Sequence, residues 1–136
     1  MCGSCLYTYM SMSHPNISPL ASVHPEAKLG EGVIVHPFAV IEENTEIGEG
    51  GARLGKHCHI HSGAVIAGIP QDLKFVGEDS VAIIGDHTMV RECVTVNRGT
   101  ASRGKTVVGS YCLLMAYSHV AHDCVLGDHV ILGNAT

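Results

Sequence analysis

Residues 108–132 read VGSYCL-LMAYSH-VAHDCV-LGDHVI-L, a run of hexads that each open on an aliphatic residue. Val108, Leu114, Val120, Leu126 and Leu132 mark the beat. Working outward, the same beat is carried by Ile84, Val90 and Val96, by Leu54, Ile60 and Ile66, and by Ile17, Val23, Leu29, Val35, Ile41 and Ile47. A helix repeats near 3.6 residues and an ordinary strand at 2. Six suits a short strand followed by a turn. The aliphatic residue points into a narrow interior, and the residue four places on, which is usually small, faces the same way. Ala21, Ala27, Val33, Ala39, Thr45, Cys58, Ala64, Thr88, Cys112, Ser118 and Cys124 fill that place. Gly directly follows seven of the aliphatic residues, for example at Gly30, Gly55, Gly85 and Gly109. These glycines are expected to turn the corners, where positive φ is cheap without a Cβ. The fold expected is all-β, a parallel β-helix of hexapeptide repeats.

The chain has 136 residues, and its composition agrees with one such domain. Only 4% of residues are aromatic and Trp is absent, so the core must be built from small and aliphatic side chains. Charged residues make up 15% and hydrophobic ones 46%, which excludes a disordered chain. The net charge of −5 leaves no basic surplus, so no nucleic-acid partner is expected. No apolar run reaches the ~18 residues of a membrane span, and the N-terminus has no secretory pattern. A cytoplasmic protein with no stable membrane insertion is expected. Cys58, Cys93, Cys112 and Cys124 read as small apolar fillers. The Cys2–Cys5 pair has no second pair to complete a zinc site.

Interruptions of the beat carry the functional signal. Residues 1–16 show no repeat and read as an unstructured leader, with the repeat region over 17–136. AGIPQDLKFVGEDSVAI separates Ile66 from Ile84, and NRGTASRGKTV separates Val96 from Val108. Both are expected to leave the prism wall as two protruding loops, where function usually sits. Between Ile47 and Leu54 the step is seven rather than six. The chain stops in mid-hexapeptide and reads as a C-terminally truncated fragment, so an inactive β-helix fragment stands as one alternative to an enzyme.

Three clusters offer chemistry. In SHVAHDC, Val120 and Cys124 face inward, which leaves His119 and His122 free to reach the surface. An imidazole beside a carboxylate suits a general base, with Asp123 placed to orient His122. The HxxH spacing also admits a zinc site completed by another chain, as in a γ-class carbonic anhydrase. In the first loop, Gln71, Asp72 and Lys74 suit hydrogen bonding to a sugar and pairing with an anion. Arg91, Asn97 and Arg98, with Arg103 and Lys105, offer cationic and amide donors. The other histidines read as surface decoration.

The segments ISPLASVHPEAKLGEGVIVHPFAVI, IPQDLKFVGE, VRECVTVNRGT and LLMAYSHVAHDCVLGD, in that order, resemble the bacterial acyl-carrier-protein–UDP-N-acetylglucosamine O-acyltransferase family of lipid A biosynthesis. The resemblance covers residues 17–136 and implies a left-handed coil with three hexapeptides per turn. It implies transfer of a 3-hydroxyacyl chain from acyl carrier protein to the 3-hydroxyl of UDP-N-acetylglucosamine, without a cofactor or a metal. His122 is implied as the base and Asp123 as its orienting carboxylate. Gln71, Asp72, Lys74, Asn97, Met115 and His119 are implied as substrate contacts. The resemblance also implies a homotrimer at full length, with sites between subunits. Relative to the family, the step from Ile47 to Leu54 reads as two hexapeptides, less one residue, lost. Arg91, Arg98, Arg103 and Lys105 are candidates for contacting the carrier protein or the UDP phosphates.

Overall fold

The computed structural model describes residues 14–42 and 51–136. Its strands, numbered β1–β16 in chain order, form three parallel sheets. One sheet stacks β1 (Asn16–Ile17), β4 (Ile34–Val35), β7 (His59–Ile60), β10 (Met89–Val90), β13 (Leu113–Leu114) and β16 (Ile131–Leu132). The second stacks β2 (Ser22–Val23), β5 (Val40–Ile41), β8 (Val65–Gly68), β11 (Thr95–Asn97) and β14 (His119–Val120). The third stacks β3 (Lys28–Leu29), β6 (Gly51–Leu54), β9 (Val81–Ile84), β12 (Lys105–Val108) and β15 (Val125–Leu126). Successive strands lie on successive faces, so each strand pairs with the one three places on. This is a left-handed parallel β-helix with three faces per turn.

Each strand carries one aliphatic residue of the sixfold series, and Ile47 lies outside the described residues. Equivalent residues sit in register: Val35 against Ile60, Ile60 against Val90, and Val90 against Leu114. Ile41, Ile60, Ile66, Ile84, Val96 and Leu114 are fully buried along the prism axis. Each such side chain contributes about 1.5–3 kcal/mol of burial. Val33, Ala39, Cys58, Ala64 and Cys112 fill the small inward places. Burial pushes the Cys58 thiol up to about 11.

Several expectations are corrected. The corners turn at the third residue after the aliphatic one, and the glycines directly after it do not turn them. His57, His87, Tyr111 and His129 hold left-handed backbone at one corner, Phe38, Cys93, Tyr117 and Ala135 at the next, and Asp123 at the third. Gly32 and Gly63 fill the same place with positive φ. The glycines directly after the aliphatic residue serve close approach instead. A Cβ at Gly109 would lie 2.5 Å from the carbonyl carbon of Gly127, and one at Gly30 2.5 Å from that of Gly55. Backbones of neighbouring coils touch there and leave no room for a side chain.

Cys93 is an exposed corner residue and fills no core space, unlike Cys58 and Cys112. β1 begins at Asn16, one residue ahead of the expected repeat boundary; Cys2 and Cys5 lie outside the described residues. Leu54 pairs in register with Leu29 below and Ile84 above. It thus occupies the face that follows Ile41, and the coil stack is in register on both sides of β6. The histidines are more than decoration at one corner. The rings of His57, His87, Tyr111 and His129 stack in a ladder, with centroids 4.9, 4.9 and 5.2 Å apart.

Both long interruptions leave the wall at the boundary between the second and third sheets. Residues 69–80 join β8 to β9, and residues 98–104 join β11 to β12. The strands that receive them are longer than the repeat requires: Lys105–Val108 pairs with Val81–Ile84 over its full length. The tails of both expected loops are therefore sheet. Among the described residues, no helix is long and apolar enough to cross a membrane.

Candidate active site

β14 ends at Val120, and the chain then turns the corner between the second and third sheets. His122 and Asp123 form that turn, with Asp123 in left-handed backbone at φ 62°. An αL residue with a β-carbon is costly, and Asp tolerates it better than most. Its N–H donates to Thr106 Oγ1 at 2.9 Å, which ties the corner to β12. The His122 Nδ1 to Asp123 Oδ2 distance is 2.9 Å. A carboxylate can only accept, so Nδ1 is the donor of this bond, which leaves Nε2 out of it. The His122 side chain is 30% exposed and the Asp123 side chain 14%. The ring is thus reachable while its orienting partner is shielded.

Thr100, in the 98–104 loop, completes the arrangement. Its N–H donates to Asp123 Oδ1 at 2.9 Å, and its hydroxyl donates to Oδ2. Burial alone would raise the Asp123 carboxyl. The Thr100 hydroxyl and N–H, together with His122, outweigh that effect and hold it below its ordinary value. An ionised, fixed acceptor behind an imidazole is the geometry of a general base.

The other candidates fall in four places. His119 lies on β14, the strand that leads into the dyad, with Nδ1 2.7 Å from Thr95 Oγ1 on β11. Asn97 ends β11 at a register shift against Gly68. It is buried, and its Nδ2 has no hydrogen-bond partner. Gln71, Asp72 and Lys74 occupy the 69–80 loop. There the Asp72 carboxylate accepts the Lys74 N–H at 2.9 Å, and its carbonyl accepts the Phe75 N–H at 3.0 Å. Asp72 and Lys74 therefore share a local turn. Among the described residues, no hydrogen bond or ion pair joins Gln71, Asp72 or Lys74 to the dyad. Met115 directly follows β13 on the first sheet, away from the corner that carries the dyad.

Arg98 corrects its reading as a surface cation. It is 1% exposed, and its guanidinium lies 5.3 Å from the centroid of the Phe75 ring. Burial depresses its pKa, opposed by Glu42, Asp79 and Glu78. The residue ties the two loops together and is closed to a phosphate. Arg91 forms an ion pair with Glu92 at 3.0 Å, while Arg103 and Lys105 remain exposed. The sequence reading missed Thr95 and Thr106. It quoted Thr100 in NRGT without assigning it a role. Threonines outside the sixfold beat carry no signal of what they face across coils. Among the described residues, no group of three or more His, Cys, Asp or Glu is placed to hold a metal ion.

Three comparisons bear on this geometry. The family described as bacterial transferase hexapeptide (six repeats) matches residues 105–136. The acyl-[acyl-carrier-protein]–UDP-N-acetylglucosamine O-acyltransferase of Chlorobaculum parvum is 48% identical over 129 residues, covering 78% of this chain and 47% of that protein. The protein of the same name from Saccharophagus degradans is 42% identical, covering 87% and 50%. The crystal structure of a UDP-N-acetylglucosamine acyltransferase from Bacteroides fragilis superposes with a TM-score of 0.71 at 50% identity, covering 88% of this chain and 51% of that one. That of the Acinetobacter baumannii protein gives 0.62 at 32% identity, covering 89% and 49%. The chain spans about half the length of the curated relatives it matches.

Proposed function

The chain belongs to the acyl-[acyl-carrier-protein]–UDP-N-acetylglucosamine O-acyltransferase family, and from that premise we propose that its coils carry the general base of an O-acyl transfer. The donor is a 3-hydroxyacyl thioester on acyl carrier protein and the acceptor is the 3-hydroxyl of UDP-N-acetylglucosamine, in the first step of lipid A biosynthesis. The observation that carries the reading is the His122 ring, bonded through Nδ1 to a shielded, ionised Asp123 with Nε2 unencumbered.

In this mechanism Nε2 removes the proton of the sugar hydroxyl as its oxygen attacks the thioester carbonyl. The carbon–sulfur bond then breaks, and the departing thiolate takes the proton back from His122. Asp123 holds the ring and stabilises the transient imidazolium. Gln71, Asp72 and Lys74 hold the sugar nucleotide, with Asn97, Met115 and His119 as further substrate contacts. Arg103 and Lys105 are exposed cations suited to the acidic carrier or to the UDP phosphates. The repeat region acts as one unit in a cytoplasmic homotrimer, with sites shared between neighbouring subunits. The relatives favour acyl transfer over the zinc-hydratase alternative.

The test is a transfer assay with UDP-N-acetylglucosamine and 3-hydroxyacyl carrier protein, run on the chain beside His122→Ala. Loss of a general base lowers the rate by about 10²–10⁴-fold. Equal rates, or a folded parent that transfers nothing, would overturn the reading.

A further inference from the structure

We infer that Thr100 is a positioning residue for the His122 base, acting through Asp123: it grips both carboxylate oxygens and so fixes which imidazole nitrogen faces outward. The inference rests on the reading of His122 as the base.

A carboxylate that only accepted one imidazole N–H could rotate, because the torsion next to an sp² group has broad wells. Here Thr100 supplies a donor to each oxygen. Its N–H takes Oδ1 at 2.9 Å, and its hydroxyl takes Oδ2, the oxygen that also receives His122 Nδ1–H. Two bonds from one residue set the carboxylate plane, and that plane sets the ring. The hydroxyl has no freedom to leave. Its oxygen accepts the Ser102 N–H at 3.2 Å while its proton goes to the carboxylate.

Thr100 is itself anchored. It is 6% exposed, and its carbonyl accepts from Gly104 N–H at 2.6 Å. Arg98, just before it, is packed against Phe75. The path runs from the loop that carries Asp72 and Lys74, through Phe75 and Arg98, to Thr100 and then to the base. Placement of the 69–80 loop and orientation of His122 thus share one anchor.

The substitution that isolates the hydroxyl is Thr100→Val, which keeps the shape and the N–H bond. Thr100→Ser restores the donor. The readout is ¹⁵N NMR of the His122 ring, assigned by loss of its signals in His122→Gln. The parent and Thr100→Ser are expected to show Nδ1 protonated and Nε2 bare. Thr100→Val is expected to populate the Nε2–H tautomer, and to lower kcat by about tenfold to a hundredfold with KM for the sugar nucleotide unchanged. Should the valine not fold, Thr100→Ala removes the hydroxyl with less bulk and carries the same readout. A parental tautomer in the folded valine or alanine variant would overturn the inference, whatever transfer does. Parental transfer by His122→Gln would overturn the base reading instead, leaving the tautomer result to stand by itself.

Discussion

Gly109→Ala tests the close-approach account of the wall glycines. The ideal Cβ at Gly109 lies 2.5 Å from both the carbonyl carbon and the oxygen of Gly127, and 2.6 Å from the Asp128 nitrogen. All three obstacles are backbone, so no side chain can swing aside. Relief to an ordinary contact requires the two coils to part by about 1 Å at this point, on a sheet spacing of ~4.8 Å. The nearest ladder bonds are Gly109 N–H to Leu126 and Val107 N–H to Cys124, each 2.9 Å. Stretching both costs roughly 1–3 kcal/mol, at about 0.5–1.5 kcal/mol per bond. Overpacking adds about 1–3 kcal/mol. Alanine gains back only about 0.4–1 kcal/mol from reduced unfolded-state freedom. The net expectation is a destabilisation of about 1–6 kcal/mol by those same principles. Gly127→Ala is the control, because its Cβ meets nothing within 4 Å in this chain. Urea titration followed by far-UV circular dichroism reads both. A midpoint for Gly109→Ala equal to that of the control would refute the reasoning.

Two further outcomes follow from titratable groups. Burial, and then the neighbouring His36, depress both His59 and His61 in the folded chain. The unfolded chain therefore binds more protons below the ordinary histidine value of about 6.5. Stability is full above that pH and falls as pH drops through the lowered folded values. The thermal midpoint is expected to decline from pH 7 to 5, less steeply in His59→Asn/His61→Gln; an unchanged slope in the double variant would assign the decline elsewhere. A disulfide reagent at pH 8 is expected to modify exposed Cys93 rapidly and Cys58 only on unfolding, since the Cys58 thiol is buried with its pKa pushed up to about 11. Mass spectrometry of the first modified peptide decides between them.

The proposed base, His122, was legible because it sits within the beat. With Val120 and Cys124 facing inward, His119 and His122 were left free to reach the surface; that Asp123 turns the corner came from the structure. The carboxylate beside the imidazole is a neighbour in sequence, so no fold was needed to see it. Thr100 was different. It lies 23 residues from Asp123, and only the stacking of the 98–104 loop against the next coil brings them together. Arg98 shows the same limit from the other side. A cation in a polar loop reads as exposed, and its packing against the Phe75 ring of the preceding coil's loop, with Glu42, Asp79 and Glu78 near it, is visible only in the fold.

The fold divides along the same line. A period of six in aliphatic residues is a local property, and it determined a wound chain of short strands and its aliphatic core; that Ile60, Val90 and Leu114 stack in register follows from three faces per turn, which the structure supplies. Which residues turn the corners, and why glycine follows the aliphatic residue, depend on the distance between coils. That distance is a property of the stacked sheets and is written in no single hexad. The sequence determined by itself which side chains go in. The tertiary structure decided what each outward side chain meets, because contacts between coils join residues 18 to 30 positions apart with no pattern along the chain to announce them.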